Sequence, residues 1–180
     1  MRKVVLYQLL SLDGVAEEPG DWLFDVDQAI FDNLARVIGT QDAVLLGRNT
    51  YDYWVGYWPT SDVEPFAAFI NGTPKHVFTS GKPELEWANS TLVAEPADTY
   101  VAELKRSDGG DIGIHGSIEL ARSLLRARLV DELRLVIAPA VAHQGRRLFD
   151  DRAELLKLEL TNAQGTPSGA LLCDYRISAG

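Results

Sequence analysis

Apolar residues along the chain follow two patterns, short unbroken runs and longer stretches in which they recur every three or four positions. The unbroken runs are typical of strands buried on both faces of a parallel sheet, and they occupy residues 4–10, 43–46, 76–79, 111–114 and 133–138. The helical spacing predicts intervening helices at residues 25–38, from about residue 50, and at 97–106 and 117–128. Strands and helices therefore alternate over most of the chain.

The last part of the chain alternates apolar and polar residues instead. Residues 155–160 and 170–177 follow this two-residue period, which is typical of antiparallel strands. The polar residues 162–168 between them predict the turn of a hairpin. The fold class that follows is α/β, with a mostly parallel central sheet flanked by helices and a C-terminal antiparallel hairpin.

Length and composition limit the class of protein. The chain has 180 residues, of which 46% are hydrophobic and 24% charged, and this suits one packed domain over residues 1–180. Its net charge of −9 disfavours broad binding to nucleic acid or to an anionic membrane, so a phosphate group must be bound by local donors. We therefore expect neither a nucleic-acid partner nor a membrane partner.

The first residues and the single cysteine bear on the cellular compartment. Residues 1–14 lack the apolar core and cleavage site of a secretory signal, and no apolar run approaches the roughly 20 residues of a membrane-spanning helix. Cys173 has no second cysteine with which to form an intramolecular disulfide. These features predict a cytoplasmic location.

Three predicted strands end in segments that suit a nucleotide, namely LGRNT at 46–50, FTSG at 78–81 and IHGS at 114–117. Ligands of open α/β sheets bind at the carboxyl ends of the strands. Gly47 and Gly116 permit a ligand to approach the backbone, Arg48 offers a planar cation for phosphate, and Thr50 and Ser117 are suited to cap helices. A single glycine at a strand end is most often a turn, so the coincidence of the three segments is what indicates a nucleotide site.

These segments resemble the dihydrofolate reductase-like superfamily. The chain is most similar to the reductase domain at the C-terminus of bifunctional riboflavin-biosynthesis deaminase-reductases, and to its stand-alone relatives. The similarity is carried by SLDGV at 11–15, AVLLGRNTYDYW at 43–54, HVFTS at 76–80, IGIHGSIELARSLLRARLVDELRLVIAPAV at 112–141 and GRRLF at 145–149. The resemblance implies a dihydrofolate reductase-like fold and an NADPH-dependent oxidoreductase that acts on a small molecule.

The resemblance also implies where NADPH binds. The segment from Gly47 to Thr50 would contact the adenosine side and the pyrophosphate, and the strand end at Thr79 and Ser80 would help hold the ribose 2′-phosphate. The pair His115 and Gly116 would lie beside the pyrophosphate and nicotinamide, which Leu9, Leu10 and Ala16 would flank. The residues expected to bind the cofactor are Leu9, Ala16, Gly47, Arg48, Asn49, Thr50, Thr79, Ser80, Ile114, His115, Gly116, Ser117 and Ile118.

His115 stands where relatives often carry a glycine. The resemblance implies a cis peptide between consecutive glycines at this point, which turns N–H groups toward the pyrophosphate. We therefore predict a cis bond between His115 and Gly116 when the cofactor can bind, although a non-proline cis bond costs about 2.5 to 4 kcal/mol. The alternative is a bond that relaxes to trans because of the histidine.

Arg48 is the expected determinant of NADPH over NADH. On a chain of net charge −9, the 2′-phosphate needs a fixed cation and hydroxyl donors, which Arg48, Ser80 and Lys82 can supply at adjacent strand ends. The alternative is a structural arginine that pairs with Asp52 one helical turn later.

Acidic residues accumulate near the expected substrate end, between Lys3 and Arg36. In folate-reducing relatives a carboxylate at the start of the first helix binds the pterin edge and assists protonation, and Asp25 and Asp27 occupy the comparable region. Capping of that helix is an equally good account of both. Asp13 matches a substrate-side position of the riboflavin-pathway relatives, and Asp-Gly is also ordinary turn chemistry. Asp13 and Asp27 are the candidate catalytic residues.

Aromatic residues flank the same segments. Trp22, Trp54, Tyr57 and Trp58 suit the wall of a site for a flat heteroaromatic substrate, with core packing as the alternative. The three histidines share no paired spacing, so we expect no metal site.

Two functions are consistent with these features. The first is an NADPH-dependent reductase that transfers a hydride to a flat heterocycle of pteridine or pyrimidine type, and the second is a nucleotide-binding or regulatory module of the same fold without turnover.

A homodimer is expected because residues 117–138 resemble the region through which the riboflavin-pathway relatives associate. Apolar residues there, such as Val130, Leu133, Leu135 and Ile137, exceed what one small sheet must bury. Burial of these side chains inside the monomer is the competing account.

Overall fold

A computed structural model describes residues 1–149 and 154–178. The strands are β1 (Val4–Leu10), β2 (Gln41–Gly47), β3 (Lys75–Phe78), β4 (Ser90–Val93), β5 (Asp111–His115), β6 (Glu132–Ile137), β7 (Leu158–Gly165) and β8 (Leu171–Ile177). The helices are α1 (Gln28–Ile38), α2 (Arg48–Trp54), α3 (Phe66–Gly72), α4 (Ala97–Leu104) and α5 (Ile118–Arg126). Short 3₁₀ turns occupy Pro19–Asp21 and Trp58–Thr60.

The strands form one sheet in the order β4-β3-β2-β5-β1-β6-β8-β7. Neighbours from β4 to β6 are parallel, whereas β8 is antiparallel to both β6 and β7. The predicted α/β class, with a mostly parallel sheet and a C-terminal antiparallel hairpin, is therefore confirmed. The carboxyl ends of β1, β2, β3, β5 and β6 consequently lie along one edge of the sheet.

Most predicted elements occur within a few residues of their expected bounds, and β1 matches its prediction at both ends. The first hairpin strand does not, because it runs to Gly165 rather than ending at residue 160, and the turn follows at Thr166 to Gly169. A register shift between Leu160 and Asn162 interrupts the two-residue period on which the prediction rested. Two elements were not predicted from the sequence, α3, which is short and apolar, and β4, which is a four-residue edge strand.

Helices cover the sheet on both faces. Buried side chains of α4 and α5, including Val101 and Leu124, share one cluster with Leu6 and Ile114 of the central strands. Ile30 and Val37 of α1 pack with β1 and β6, and α3 packs with β2 and β3. None of the helices in residues 1–149 and 154–178 is long and apolar enough to cross a membrane.

The apolar residues on which the homodimer was argued belong mainly to this core. Val130, Leu133 and Leu135 are at most 5% exposed, and Ile137 is half-buried against the same cluster. The competing account, burial inside the monomer, therefore holds for these side chains. The homodimer and the single domain over 1–180 stay predictions.

Lys75 of β3 is fully buried, and its ammonium group caps the C-terminus of α3. Its Nζ donates to the carbonyl oxygens of Ile70, at 2.8 Å, and Thr73, at 3.1 Å, and lies 4.6 Å from the centre of the Trp87 ring. A cation is favourable at a helix C-terminus, because the last carbonyl groups lack partners within the helix. Burial nevertheless disfavours the ammonium form and lowers the pKa of Lys75 to about 8.

This depressed pKa predicts a stability that rises with pH. Between about pH 8 and the ordinary lysine value, the unfolded chain holds the Lys75 proton more tightly than the folded chain does. Wild type should therefore gain free energy of unfolding relative to Lys75→Met as pH rises from 7 to 10. Urea unfolding of both proteins across this range measures the difference, and a gap that is constant or narrows with pH contradicts the assignment.

Candidate functional site

The ends of β2 and β5 are joined where the chain leaves the sheet. The backbone N–H of Gly47 donates to the Ser117 hydroxyl at 2.9 Å, so the loops after the two strands are held side by side. Ser117 occupies the position before α5, yet its hydroxyl makes this cross-strand bond and caps no helix N–H. The residue that precedes α2 is Gly47, not Thr50, which lies within the helix. The expectation that Thr50 and Ser117 cap their helices is therefore wrong.

The chain turns sharply after β5. The peptide between His115 and Gly116 is trans, and the prediction of a cis bond there is wrong, since within the described residues the cis peptide is Glu64–Pro65. Gly116 and Ser117 instead adopt left-handed conformations in succession, with φ of 64° and 53°. These two left-handed residues redirect the backbone into α5 without a cis bond.

A cavity of about 560 Å³ opens beside these strand ends. Eight of the thirteen residues expected to bind a cofactor line it, namely Leu9, Ala16, Asn49, Thr50, His115, Gly116, Ser117 and Ile118. Gly47, Arg48, Thr79 and Ser80 are outside the lining, toward β3, and the Ile114 side chain is buried in the core. The size of the cavity and its largely apolar walls are typical of small-molecule sites.

Aromatic rings form one wall of this cavity. Trp58 lies 4.8 Å from Phe66 and 5.9 Å from Trp54, ring centre to ring centre, in edge-to-face contacts. These two tryptophans line the cavity as expected, together with Tyr53 and Phe66, which the sequence analysis did not name. Trp22 and Tyr57 are not part of the lining, because the Trp22 indole donates to the Glu17 carbonyl and Tyr57 packs on Trp58.

His115 is the most deeply buried ionisable group of the cavity wall. Its Nε2 lies 2.8 Å from Oε1 of Gln41, and its ring packs near Tyr7 and Phe66, with ring centres 5.7 and 5.2 Å away. Burial disfavours the charged ring and lowers the pKa of His115 to about 3. The imidazole is therefore neutral, and its bond to a carbonyl oxygen places the proton on Nε2.

Gln41 reaches this histidine across Gly113 of β5. A Cβ built on Gly113 would overlap the side-chain amide of Gln41. The absence of a side chain at Gly113 is therefore what allows Gln41 and His115 to meet. The sequence offers little signal for this pair, because its members are 74 positions apart.

Arg48 joins the ends of β2 and β3. Its Nη1 donates to the Thr79 hydroxyl at 3.3 Å and to the Gly81 carbonyl at 3.0 Å, while its Nε pairs with Asp52 at 2.6 Å. The structural pairing considered for Arg48 is thus present, alongside the expected proximity to Thr79. Ser80 is exposed next to this group, whereas Lys82 pairs with Glu86.

Asp13 fixes a loop and lies outside the cavity lining. It accepts hydrogen bonds from the Ser11 hydroxyl at 2.7 Å and from the backbone N–H groups of Ala142 and His143, both at 3.0 Å. The hydrogen bond from Ser11 lowers the pKa of Asp13 most, and the N–H groups of Ala142 and His143 lower it further. Burial acts in the opposite direction, and the resulting pKa is about 2.

Asp27 caps α1. Its side chain accepts from the N–H of Ile30 at 3.2 Å and from that of Ser168 at 2.8 Å, which ties the hairpin turn to the helix. Burial alone would raise the pKa of Asp27, but the hydrogen bonds from Ser168 and Ile30 outweigh it and lower the value to about 2. Both candidate acids are therefore carboxylates at neutral pH. Their catalytic role stays a prediction.

Metal ligation has no support in the described part of the chain. No group of three or more His, Cys, Asp or Glu side chains in residues 1–149 and 154–178 is arranged to hold an ion.

The chain matches the model of the RibD C-terminal domain over residues 2–172, and it belongs to that family. It is 28% identical to the uncharacterized protein YyaP of Bacillus subtilis, over 97% of this chain and 94% of YyaP. It is 30% identical to the uncharacterized protein YwjB of the same organism, over 88% of this chain and 89% of YwjB. The expected resemblance to riboflavin-biosynthesis reductase domains is confirmed.

Solved structures share the fold at low identity. A putative riboflavin biosynthesis protein from Shewanella superposes with a TM-score of 0.80 at 18% identity, over 98% of this chain and 99% of that one. A pyrimidine reductase-like protein from Corynebacterium diphtheriae gives 0.72 at 16%, over 99% and 93%. A diaminohydroxyphosphoribosylaminopyrimidine deaminase/5-amino-6-(5-phosphoribosylamino)uracil reductase from Thermotoga maritima gives 0.70 at 17%, over 98% of this chain and 57% of that one.

The cap on α1 predicts how Asp27 affects stability. Asp27→Ala removes the acceptor of two backbone N–H groups and should lower the melting temperature at pH 7. Because the folded-state pKa is depressed, the contribution is present above the ordinary aspartate value and is lost as pH falls toward about 2. The difference in melting temperature between wild type and variant should therefore become smaller as pH falls from 4 to 3, as measured by thermal unfolding.

The matched control is Asp25→Ala, which removes an exposed carboxylate two residues earlier. It should leave the melting temperature nearly unchanged. A loss equal to that of Asp27→Ala would show that general charge, and not the cap, accounts for the effect.

Proposed function

We propose that the chain is an NADPH-dependent reductase that transfers a hydride to a flat heterocyclic substrate of pyrimidine or pteridine type. Membership of the RibD C-terminal domain family supports a reductase. The names of two structural neighbours, a pyrimidine reductase-like protein and a 5-amino-6-(5-phosphoribosylamino)uracil reductase, support a pyrimidine-containing molecule as the class of substrate. The observation that carries the proposal is the cluster of phosphate donors beside a cavity walled by aromatic rings.

The donors at the ends of β2 and β3 suit the 2′-phosphate of NADPH. Arg48 presents a partly exposed guanidinium, and the exposed Ser80 offers a hydroxyl donor at the adjacent strand end, whereas the Thr79 hydroxyl donates to the Gly81 carbonyl at 2.7 Å. A cation with neighbouring hydroxyl donors is the combination that binds phosphate. Asp52 holds the arginine through Nε, which orients the guanidinium and leaves Nη2 for a ligand.

The residues between this cluster and the cavity suit the rest of the dinucleotide. Gly116, which lacks a side chain, and Ser117 would face the pyrophosphate at the start of α5, where helix N–H groups favour an anion. Leu9, Ala16 and Ile118 would flank the nicotinamide within the cavity. When bound, NADPH supplies the hydride, and the chain's own residues supply position and a site that excludes water.

The substrate would lie against the aromatic wall. Trp54, Trp58 and Phe66 offer ring faces and edges to a flat heterocycle, and their mutual edge-to-face packing holds them in place. This wall and the expected nicotinamide position belong to one continuous cavity, as hydride transfer requires.

One observation favours the second function, a nucleotide-binding module without turnover. Asp13 and Asp27, the candidate proton donors, are held ionised at neutral pH by their hydrogen bonds. A reductase must obtain its proton from another group or from water. Incubation with NADPH and a panel of pterins, pyrimidines and quinones decides between the two, because loss of reduced-nicotinamide absorbance with any of them supports the reductase, whereas binding of NADPH without oxidation supports the module.

The role of Arg48 predicts a difference between two cofactors. Removal of a charged hydrogen-bond partner costs about 1.5 to 3 kcal/mol, so Arg48→Ala should weaken NADPH binding by roughly tenfold to a hundredfold. NADH lacks the 2′-phosphate, and its affinity should change little. Calorimetric titration of both cofactors into wild type and variant measures these effects.

Arg126→Ala serves as the control, since Arg126 is exposed at the opposite end of α5. It should leave both affinities unchanged. Equal losses of NADH and NADPH in Arg48→Ala would mean that the arginine supports the ends of β2 and β3 and does not select the cofactor.

A further inference from the structure

Arg146 is the one lysine or arginine among the described residues that line the cavity. Its side chain is 49% exposed, and the lining also carries the carboxylates of Glu17, Glu18 and Glu64. Arg48, the other cation of this edge, lies directly after β2. Arg146 is instead bonded to the segment after β1, and β1 is two strands away from β2 in the sheet. The two arginines therefore approach a bound ligand from different strands.

The backbone of Arg146 is fixed against the segment that follows β1. Its carbonyl oxygen accepts hydrogen bonds from the N–H groups of Ala16, at 2.9 Å, and Glu17, at 3.3 Å. Gly145 permits this close approach, because a Cβ there would lie 2.7 Å from Cγ1 of Val15, and its φ of 111° favours glycine. The position of residue 146 is therefore set by the protein itself.

Glu17 holds the side chain of Arg146. One carboxylate oxygen accepts from the backbone N–H of Arg146 at 3.0 Å, and the other accepts from its Nε at 2.6 Å. The backbone bond lowers the pKa of Glu17 most, and the side-chain bond lowers it further, so the ion pair is present at neutral pH. Glu17 is itself anchored, since the buried Trp22 indole donates to its carbonyl oxygen at 3.0 Å. The guanidinium is therefore oriented before a ligand binds.

The far edge of this guanidinium is unused. Within residues 1–149 and 154–178, Nη1 and Nη2 of Arg146 have no hydrogen-bond partner, whereas in the neighbouring Arg147 both Nε and Nη2 bond to Asp13. The two Nη groups of an arginine form a planar pair of donors that matches two oxygens of a phosphate group. An oriented cation with this pair free, at the wall of a cavity, suits an anionic ligand.

We propose that Nη1 and Nη2 of Arg146 bind a phosphate group of the ligand in the cavity, and that Glu17 is the positioning residue that orients them. The inference rests on the proposed reductase and deepens it. In that reaction the phosphate comes from either of two sources, the pyrophosphate of the dinucleotide or a phosphate carried by the substrate. Both present anionic oxygens of the same kind to the arginine, and matched probes distinguish them.

Two pairs of probes, each differing by one phosphate group, test the proposal on the intact protein. Reduced nicotinamide mononucleotide and reduced nicotinamide riboside represent the dinucleotide, and uridine 5′-monophosphate and uridine represent the substrate. In Arg146→Gln the phosphorylated member of a pair should bind about tenfold more weakly than to wild type, while its partner without phosphate is unchanged, as measured by titration calorimetry. Loss in the nicotinamide pair assigns Arg146 to the pyrophosphate, and loss in the uridine pair assigns it to the substrate.

Arg147→Gln is the matched control. Its side chain is also 49% exposed and carries the same charge, but it bonds to Asp13 and lies outside the cavity lining. This variant should leave all four affinities unchanged. Equal weakening of both members of each pair by Arg146→Gln means that the arginine only ties the two segments together, and it overturns the proposal. Wild-type affinities that are independent of phosphate in both pairs overturn it as well.

Arg146→Lys tests the geometry of binding. It keeps the positive charge but lacks the planar pair of donors, so it should recover only part of the affinity for the phosphorylated probe. Full recovery contradicts binding through the two Nη groups. If Arg146→Gln does not fold, the lysine variant gives the same comparison within each pair, with a smaller loss.

Glu17→Ala tests the positioning role, because charge and orientation predict opposite results. Removal of a carboxylate would by itself strengthen the binding of a phosphate, whereas release of Nε leaves the guanidinium free to move. We expect orientation to dominate, so the phosphorylated probe affected by Arg146→Gln should bind about threefold more weakly to Glu17→Ala. Tighter binding overturns the role of Glu17.

The outcome for the reductase itself is separate. Absence of NADPH oxidation with every heterocycle defeats the proposed reductase, but it leaves the phosphate preference of the probes and its loss in Arg146→Gln intact. Oxidation of NADPH together with probe affinities that Arg146→Gln does not change defeats this inference alone.

Discussion

The site depends on the position of β5 between β1 and β2, with parallel pairing on both sides. This pairing sets His115 level with Tyr7, so that β1 continues past the end of β5 and the turn at Gly116 lies beside Gln8 and Leu9. The bond from Gly47 to Ser117 then fixes the start of α2 against the start of α5. The position of the cavity at this edge of the sheet follows from this register.

Charge is distributed unevenly along this edge of the sheet. In a chain of net charge −9, Arg48 lies at the junction of β2 and β3 and is held there by Asp52. The cavity beyond has three carboxylates and an arginine already bound to one of them. The same edge of the sheet therefore carries a partly exposed cation at one end and mainly carboxylates at the other.

The alternation of strands and helices, and the antiparallel end of the sheet, could be predicted because buried strands produce unbroken apolar runs such as residues 4–10. β4 could not, because it is short and largely exposed. At the site, the sequence indicated the strand-end segments, but it did not indicate that His115 bonds to Gln41 or that the cavity extends to Tyr53 and Phe66. Such facts depend on strand pairing between residues far apart in the chain. From the sequence, Asp27 could be a catalytic acid or a helix cap. The fold shows that its carboxylate joins α1 to the hairpin turn.

Gly113 links the backbone of β5 to this chemistry. Since a methyl group at this position would collide with the amide of Gln41, and Gln41 orients His115, the three positions form one epistatic unit. A Cβ at Gly113 would also lie 2.9 Å from Nε2 of His115, so loss of Gln41 alone would not make room for a side chain here. A larger residue at 113 therefore requires changes at both 41 and 115, and the three positions are constrained to change together.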